Sequence, residues 1–335
     1  MQSLTETIGS ILPRNLFYCD VGARWGIEEP WKSFRKIIDL ISFEPDQEEF
    51  EALIKKKAAK DMIYPYALFR EQKNMCLNLT KSRGSSSLYK PNDEFLKNYP
   101  DFERFKIEDT VMVKAIPLDA LYRDKIFDID FIKIDVQGAE LDILQGGERL
   151  LHENILGIQV EVEFQPMYEN QPLFSDVDSF MRARLGLRIQ DLRKTYWKYP
   201  EGVHVGANKG QLIFGDALYF RSPDETVSWC CNFPKDKASE KLHMACLMGV
   251  VYGYLDYSLC LLNQPSISDF IERDKIDQWR TLILHYGKSL HYNGMGACRL
   301  SALFNLLYRM CQTTHGGWAS VGHHLGTRKK GGIFG

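Results

Sequence analysis

Between residues 15 and about 221 the chain alternates short apolar, β-branched runs with amphipathic stretches of helical period. This alternation limits the fold more than any other feature, because strands joined through helices run parallel and a parallel sheet must be covered on both faces. Strands are expected at 16–20, 37–44, 62–68, 111–116, 129–135, 155–164, 186–192 and 211–221. No apolar period suited to a crossover helix separates the last two, so they read as an antiparallel pair at a sheet edge. The pattern therefore predicts an α/β, doubly wound, Rossmann-like domain closed by a terminal hairpin.

The first strand runs into D-V-G-A-R-W-G, which places Asp20, Gly22 and Gly26 at the turn from strand to following helix. Glycine there permits a tight turn and close approach of a ligand, and a helix start supplies unpaired N–H donors. The spacing is not the G-x-G-x-x-G of a dinucleotide site, since Arg24 stands where a second glycine would be needed. The second strand ends in F-E-P-D, with Glu44 lying 22 positions after Gly22. A carboxylate at about that separation is placed to accept hydrogen bonds from a ribose diol. Pro45 favours an extended Glu44 and ends the strand.

A third cluster is I-D-F-I-K-I-D-V-Q-G-A-E-L-D-I-L-Q-G-G, beginning at Ile129. Period-two geometry sets Phe131, Lys133 and Asp135 on one face, so Lys133 and Asp135 can neutralise each other, and Asp135 emerges at the carboxyl end where such sheets bind ligands. In I-Q-V-E-V-E-F, Gln159, Glu161 and Glu163 share a face. Carboxylates inside apolar strands are costly unless bonded, which points to a polar site, although a Lys133–Glu161 ion pair across neighbouring strands would also account for two of these residues.

These segments, with the S-R-G-S-S-S-L loop at 82–88 and V-E-V-E-F-Q-P-M-Y-E-N-Q-P, resemble the FkbM family of S-adenosylmethionine-dependent methyltransferases over residues 15 to about 221. The resemblance implies a seven-stranded sheet of order 3-2-1-4-5-7-6 with the last strand antiparallel, S-adenosylmethionine as cofactor, and O-methylation of a hydroxyl on a sugar, glycan or natural-product small molecule. It further implies that Asp20, Gly22 and Gly26 hold the methionine part of the cofactor, that Glu44 takes the ribose hydroxyls, and that Asp135 lies beside the transferable methyl. Family members commonly carry Glu where this chain has Gln137, an exchange that removes one candidate base or metal ligand.

For such chemistry the protein must align an acceptor oxygen and exclude water. Asp135 is expected to orient the acceptor and Glu163 to act as base or acceptor anchor. Tyr168, Trp197 and His204, from the segment after the fifth strand and the edge-hairpin loop, offer flat faces with polar tips suited to a sugar ring. Mg²⁺ would suit the same carboxylates, but no D-D or H-x-D pair supports it and no metal is expected. Cys311, His315, His323 and His324 match no zinc spacing. Two other classes stay open: a binding or scaffold protein on a methyltransferase fold, and, against the glycine spacing, a nicotinamide-dependent oxidoreductase.

Forty-two Lys plus Arg against 44 Asp plus Glu leave a formal charge of −2, and no sign excess marks a nucleic-acid partner. Lys55, Lys56 and Lys57 complete an acidic-to-basic helix that suits its own dipole. Eight cysteines without a C-x-x-C pair and a start without signal-peptide character fit a cytoplasmic protein with reduced thiols. Beyond a lead at 1–14 and the 15–221 domain, 222–312 reads as a helical accessory region with helices at 238–262, 267–287 and 296–312, and 313–335 as a flexible tail. Leu242 to Leu262 is long enough for a membrane span. It carries His243, Asp256 and three tyrosines and lacks basic flanks, so a buried or interface helix is expected, lining the acceptor pocket or joining a homodimer, with no membrane association.

Overall fold

A computed structural model describes residues 4–123, 128–203, 210–287 and 318–321. Its strands are β1 (Leu16–Val21), β2 (Ile38–Phe43), β3 (Met62–Tyr64), β4 (Ala67–Leu68), β5 (Lys73–Thr80), β6 (Ile107–Ile116), β7 (Phe131–Ile134), β8 (Gly157–Glu163), β9 (Arg188–Trp197), β10 (Gln211–Phe220) and β11 (Ala319–Val321). The main sheet runs β11-β9-β10-β8-β7-β1-β2-β3. Strands β3, β2, β1, β7 and β8 are parallel, and β10 is antiparallel to both β8 and β9. Counted along the chain, the first seven strands of this sheet stand in the expected order 3-2-1-4-5-7-6, and β11 adds an eighth by pairing with the edge strand β9.

Three expectations about elements need correction. The strand expected at 62–68 divides, β3 entering the main sheet and β4 a second, three-stranded sheet of order β4-β6-β5. The strand expected at 111–116 belongs to β6 of that small sheet, paired with β5, which the periodicity did not announce because Leu77 and Leu79 cover only one face of it. No α-helix follows β1; a 3-10 helix, Trp31–Ile37, stands there instead.

The face left open by that missing helix is covered from both ends of the chain. Ile8 and Ile11 of the helix Leu4–Ile11 share one core with Tyr18, Phe131 and Phe220 of the sheet and with Leu242, Met248, Tyr252 and Trp279 from beyond residue 222. The other face carries the helices Glu140–Gly146, Glu148–Asn154 and Phe174–Leu185 over Ile134, Val160 and Ala217. The helix expected over 238–262 breaks at Gly253, whose φ of +80° is left-handed, giving Lys235–Tyr252 and Leu255–Leu262. No helix among the described residues is long and apolar enough to cross a membrane. The helix expected at 296–312 lies outside the described residues, and of the segment read as a tail, Ala319–Val321 is a strand.

A buried ion network ties this cover to the sheet. Lys241 Nζ, fully buried, donates to Asp130 Oδ1 at 2.8 Å and to the Asn154 carbonyl at 2.8 Å, while Arg14 donates to the other Asp130 oxygen at 2.6 Å. Burial alone would raise the Asp130 carboxyl, but Lys241 and Arg14 outweigh it and hold the group down at about 2. A depressed carboxylate contributes stability above its unfolded pKa and loses it as pH falls through the folded value, here between about 4 and 2. Lys241→Met should therefore cost about 3 kcal/mol near neutrality, the low end for a broken buried pair because Arg14 stays on Asp130. Urea denaturation of the variant checks the loss, and the difference from wild type should shrink as the pH approaches 2.

Candidate active site at the strand ends

The parallel strands end level with one another. Gly22 N–H donates to the Phe43 carbonyl at 3.1 Å, Glu44 N–H to Tyr64 at 3.1 Å and Asp135 N–H to Val21 at 3.1 Å, so the segments after β1, β2 and β7 leave the sheet together. A cleft opens there, about 940 Å³ with the space open to solvent included, lined by Val21, Gly22, Phe43, Glu44 and Tyr66 together with Arg83, Ser86, Asp135, Gln137 and Glu161. This is the place where doubly wound sheets hold ligands.

Packing fixes each loop. A Cβ on Gly22 would lie 1.9 Å from the Asp135 carbonyl oxygen, and its φ is +79°. Glycine is thus required because two loops touch, as well as for any ligand approach. Arg24, the residue that spoils a dinucleotide fingerprint, donates to Asp46 Oδ2 at 2.7 Å and to Glu49 at 3.1 Å, fastening the first loop to the start of the helix Gln47–Lys56. Glu44 is buried and accepts the Asp46 N–H at 2.9 Å. Burial pushes its carboxyl up to about 7, with the Asp46 N–H and Arg24 restraining the rise.

Behind the cleft wall the register sets Asp20 opposite Lys133 and Lys133 opposite Gln159. Lys133 Nζ lies 3.8 Å from Asp20 and 3.3 Å from Asp135. Burial disfavours the ammonium, yet the two carboxylates hold its pKa above the ordinary lysine value. Burial likewise pushes Asp20 up to about 6 against the pull of Lys133, and its Oδ1 has no hydrogen-bond partner. For Asp135 burial is outweighed by Lys133 and by the Gln137 amide, and the pKa falls below the usual value.

The turn after β7 is wound tightly. Gln137 has φ +65° and Gly138 φ +110°, and Glu140 accepts the Val136 N–H at 2.9 Å and the Gly138 N–H at 2.8 Å. The Gln137 amide donates to Asp135 Oδ1 at 3.0 Å and to Glu161 Oε2, and accepts the Tyr168 hydroxyl at 3.0 Å. A neutral amide here separates two carboxylates that a glutamate would crowd further. Lys133 is committed to Asp20 and Asp135, so the ion pair considered between Lys133 and Glu161 does not form.

The anticipated site residues divide between locations. Gly22, Glu44 and Asp135 line the cleft, whereas Asp20 and Gly26 face a smaller cavity next to it with Tyr18, Glu28, Trp31 and Lys133. Glu163 is buried and absent from the cleft wall; Glu161, two residues earlier on the same face of β8, lines it instead. Tyr168 is fully buried, its hydroxyl donating to the Ser85 carbonyl at 2.9 Å as well as to Gln137. Trp197 is 1% exposed, with Tyr99, Phe105, Phe214 and Trp318 around its ring and the Arg104 guanidinium 5.1 Å from its centroid. Neither ring offers a free face to an acceptor. Both aromatics are absorbed by a local core with Leu96, Met167 and Ile213. His204 lies outside the described residues. Trp25, Tyr66, Arg83 and Leu88 line the cleft without having been singled out one by one; they come from turns, a 3-10 turn and the link between β3 and β4, where spacing carries no signal of a shared wall.

The methyltransferase FkbM domain model matches residues 20–189, which is half of the chain and takes in both the glycine turn and the β7 turn. The chain belongs to the FkbM methyltransferase family. No curated protein matches it at the level of sequence. Among solved structures, the methyltransferase FkbM from Methylobacillus flagellatus KT is similar at 14% identity and a TM-score of 0.34, the match covering 62% of this chain and 43% of that one, less than half its length. TrmK from M. capricolum, in complex with S-adenosyl-homocysteine, gives 10% identity and a TM-score of 0.31 over 84% of this chain and 97% of that one. Precorrin-6y C5,15-methyltransferase from Geobacter metallireducens GS-15 gives 11% and 0.31 over 65% and 87%.

In this FkbM protein the turn after β1 is held by contact with the turn after β7. Gly22→Ala should force the Asp135 carbonyl aside and lower the denaturation midpoint by the equivalent of about 1–3 kcal/mol, the scale of a strained non-glycine residue. Gly26→Ala should cost less, since its φ of +73° is strained but the nearest atom to its Cβ is Leu53 at 4.0 Å. Parallel urea titrations of the two variants test the ranking.

Proposed function

We propose that this FkbM family member transfers a methyl group from S-adenosylmethionine to a hydroxyl oxygen of a sugar, a glycan or a natural-product small molecule. The observation that carries the reading is one cleft at the strand ends that unites Gly22, Glu44 and Asp135, with a buried carboxylate at the second strand end and, alongside, an Asp20 oxygen that makes no hydrogen bond. Those residues fit the cofactor by their chemistry. Glu44 offers acceptors for a ribose diol, Phe43, Tyr66 and Leu68 give an apolar wall for a base, and the acidic surroundings of Asp20 and Asp135 suit the cationic end of the molecule. Bound there, its sulfonium would supply the activated methyl.

The chain itself has to place an oxygen and take its proton. Asp135 is a carboxylate of the cleft lining, ionised through Lys133 and with its side chain 28% exposed, so it can accept the acceptor hydroxyl and receive its proton as the new bond forms. Glu163, expected for that step, stands off the wall and is replaced in it by Asp135. Acceptor contacts fall to Ser86, Leu88 and Trp25, the last 73% exposed at the rim.

Calorimetry on the purified chain should show S-adenosylmethionine binding, with Glu44→Ala weakening it about 10- to 100-fold, the value of hydrogen bonds to a charged acceptor. Because the diol needs the ionised form and burial places Glu44 at about 7, affinity should rise with pH up to that value and level off above it. Arg24, Asp46 and Glu49 are the charged groups facing Glu44. Absence of binding by folded wild type would instead favour a scaffold protein. Asp135→Asn should slow methyl transfer about a hundredfold at saturating cofactor, measured with labelled cofactor on the acceptor found by mass-spectrometric screening of glycans and metabolites.

A further inference from the structure

Beyond the cleft wall three buried carboxyl groups meet without an ion-pair partner among the described residues. Glu161 and Glu163 project from the same face of β8, and Glu140 is brought to them at the start of the helix that follows β7. One carboxylate oxygen from each of the three lies within 4.8 Å of the others, and all three side chains are buried. Among the described residues no cation forms an ion pair with any of the three, although Arg104 lies near enough to attract Glu161 and Arg83 shares its cleft wall. Lys133 serves Asp20 and Asp135, Arg193 bonds Asp216 at 2.8 Å, and Arg104 is stacked among Phe105, Trp197 and Trp318. Glu140 and Glu161 each accept hydrogen bonds, but Glu163 Oε1, in a residue only 2% exposed, has no partner at all. A buried carboxylate oxygen left bare costs several kcal/mol unless something meets it.

We infer that Glu140, Glu161 and Glu163 form a site for one hard divalent cation of the Mg²⁺, Mn²⁺ or Ca²⁺ class at the back wall of the cleft. The donor set is all oxygen, which selects these ions over zinc or copper. Ligand oxygens on opposite sides of such an ion are separated by about 4–5 Å, twice a metal–oxygen bond of about 2.0–2.6 Å, so the observed spread admits an ion with little movement of the side chains. A double positive charge among three carboxylates leaves one negative charge, against three in the empty site when all are ionised. The competing way to remove that charge is protonation, which burial and mutual repulsion favour for each of these glutamates. Since Glu161 belongs both to the trio and to the cleft wall, the cation would sit at the boundary of the acceptor space.

The inference does not rest on the cofactor reading, and its test needs no turnover. The full chain, stripped with chelator, is titrated with Mn²⁺ alone at neutral pH, free metal being followed by electron paramagnetic resonance and heat by calorimetry. One Mn²⁺ per chain is expected, with a rise in melting temperature. Glu163→Gln and Glu161→Gln, each preserving side-chain volume, should weaken binding at least about tenfold. Glu44→Gln, in the cleft but outside the trio, should bind Mn²⁺ like wild type while losing affinity for S-adenosylmethionine, which separates the two readings. No uptake by wild type at about 5 mM Mn²⁺, beyond the weakest protein sites, overturns the assignment and leaves protons as the neutralising charge. Uptake undiminished in both glutamate variants overturns it as well, by placing the metal elsewhere.

Discussion

The buried ammonium of Lys133, set between Asp20 and Asp135, is the interaction on which the strand-end architecture depends. Asp20 ends one strand, Asp135 follows its neighbour, and both carboxylates face the same point because β1 and β7 run parallel in register. A lysine in the middle of an apolar strand is tolerated only where two acids meet it, and two acids so near each other are tolerated only around a cation. Gly22 then lets the two turns close until their backbones touch. Cleft, glycine and charge triad are consequences of one contact.

Much of this was legible in the residues, for identifiable reasons. Period two placed Lys133 and Asp135 on one face, and the carboxyl end of a parallel strand is where side chains leave the sheet, so Asp135 at the cleft followed from spacing. The hairpin of β9 and β10 followed from the missing crossover. Long-range partners were less visible. Glu140 opens the helix after β7 and meets Glu161 and Glu163 of the next strand, a grouping that no local metal motif announces. Trp197 and Tyr168 look, as letters, like any aromatics near a ligand; what spends them on packing is the convergence of Leu96, Tyr99 and Phe105, from a segment that carries no periodic signal.

Gln137 shows how a single exchange can tune such a site. Its amide supplies two N–H donors to two acids and one acceptor to a phenol, so it reconciles three neighbours at a point where the backbone is already left-handed. A carboxylate there would add charge to a cluster with few cations to spare.

The helical region beyond residue 222 acquires a different meaning once Trp31–Ile37 is seen to take the place of a full helix after β1. Leu242, Met248 and Tyr252 lie on Tyr18, Phe131 and Phe220, and Tyr252 receives a hydrogen bond from Trp31 at 3.1 Å while donating one to Gln159 at 2.9 Å. The stretch that carries the family signature ends at residue 189, but the apolar underside of its sheet is roofed by residues far downstream. The stretch matched by the family is therefore smaller than the packed unit: a chain cut after β10 would keep Ile8, Ile11, Trp31 and Phe34 on that face but lose Leu242, Met248, Tyr252 and Trp279 from it. The residues that roof the sheet from beyond 222 thus rest on the same strands, β1 and β7, whose far ends carry the cleft.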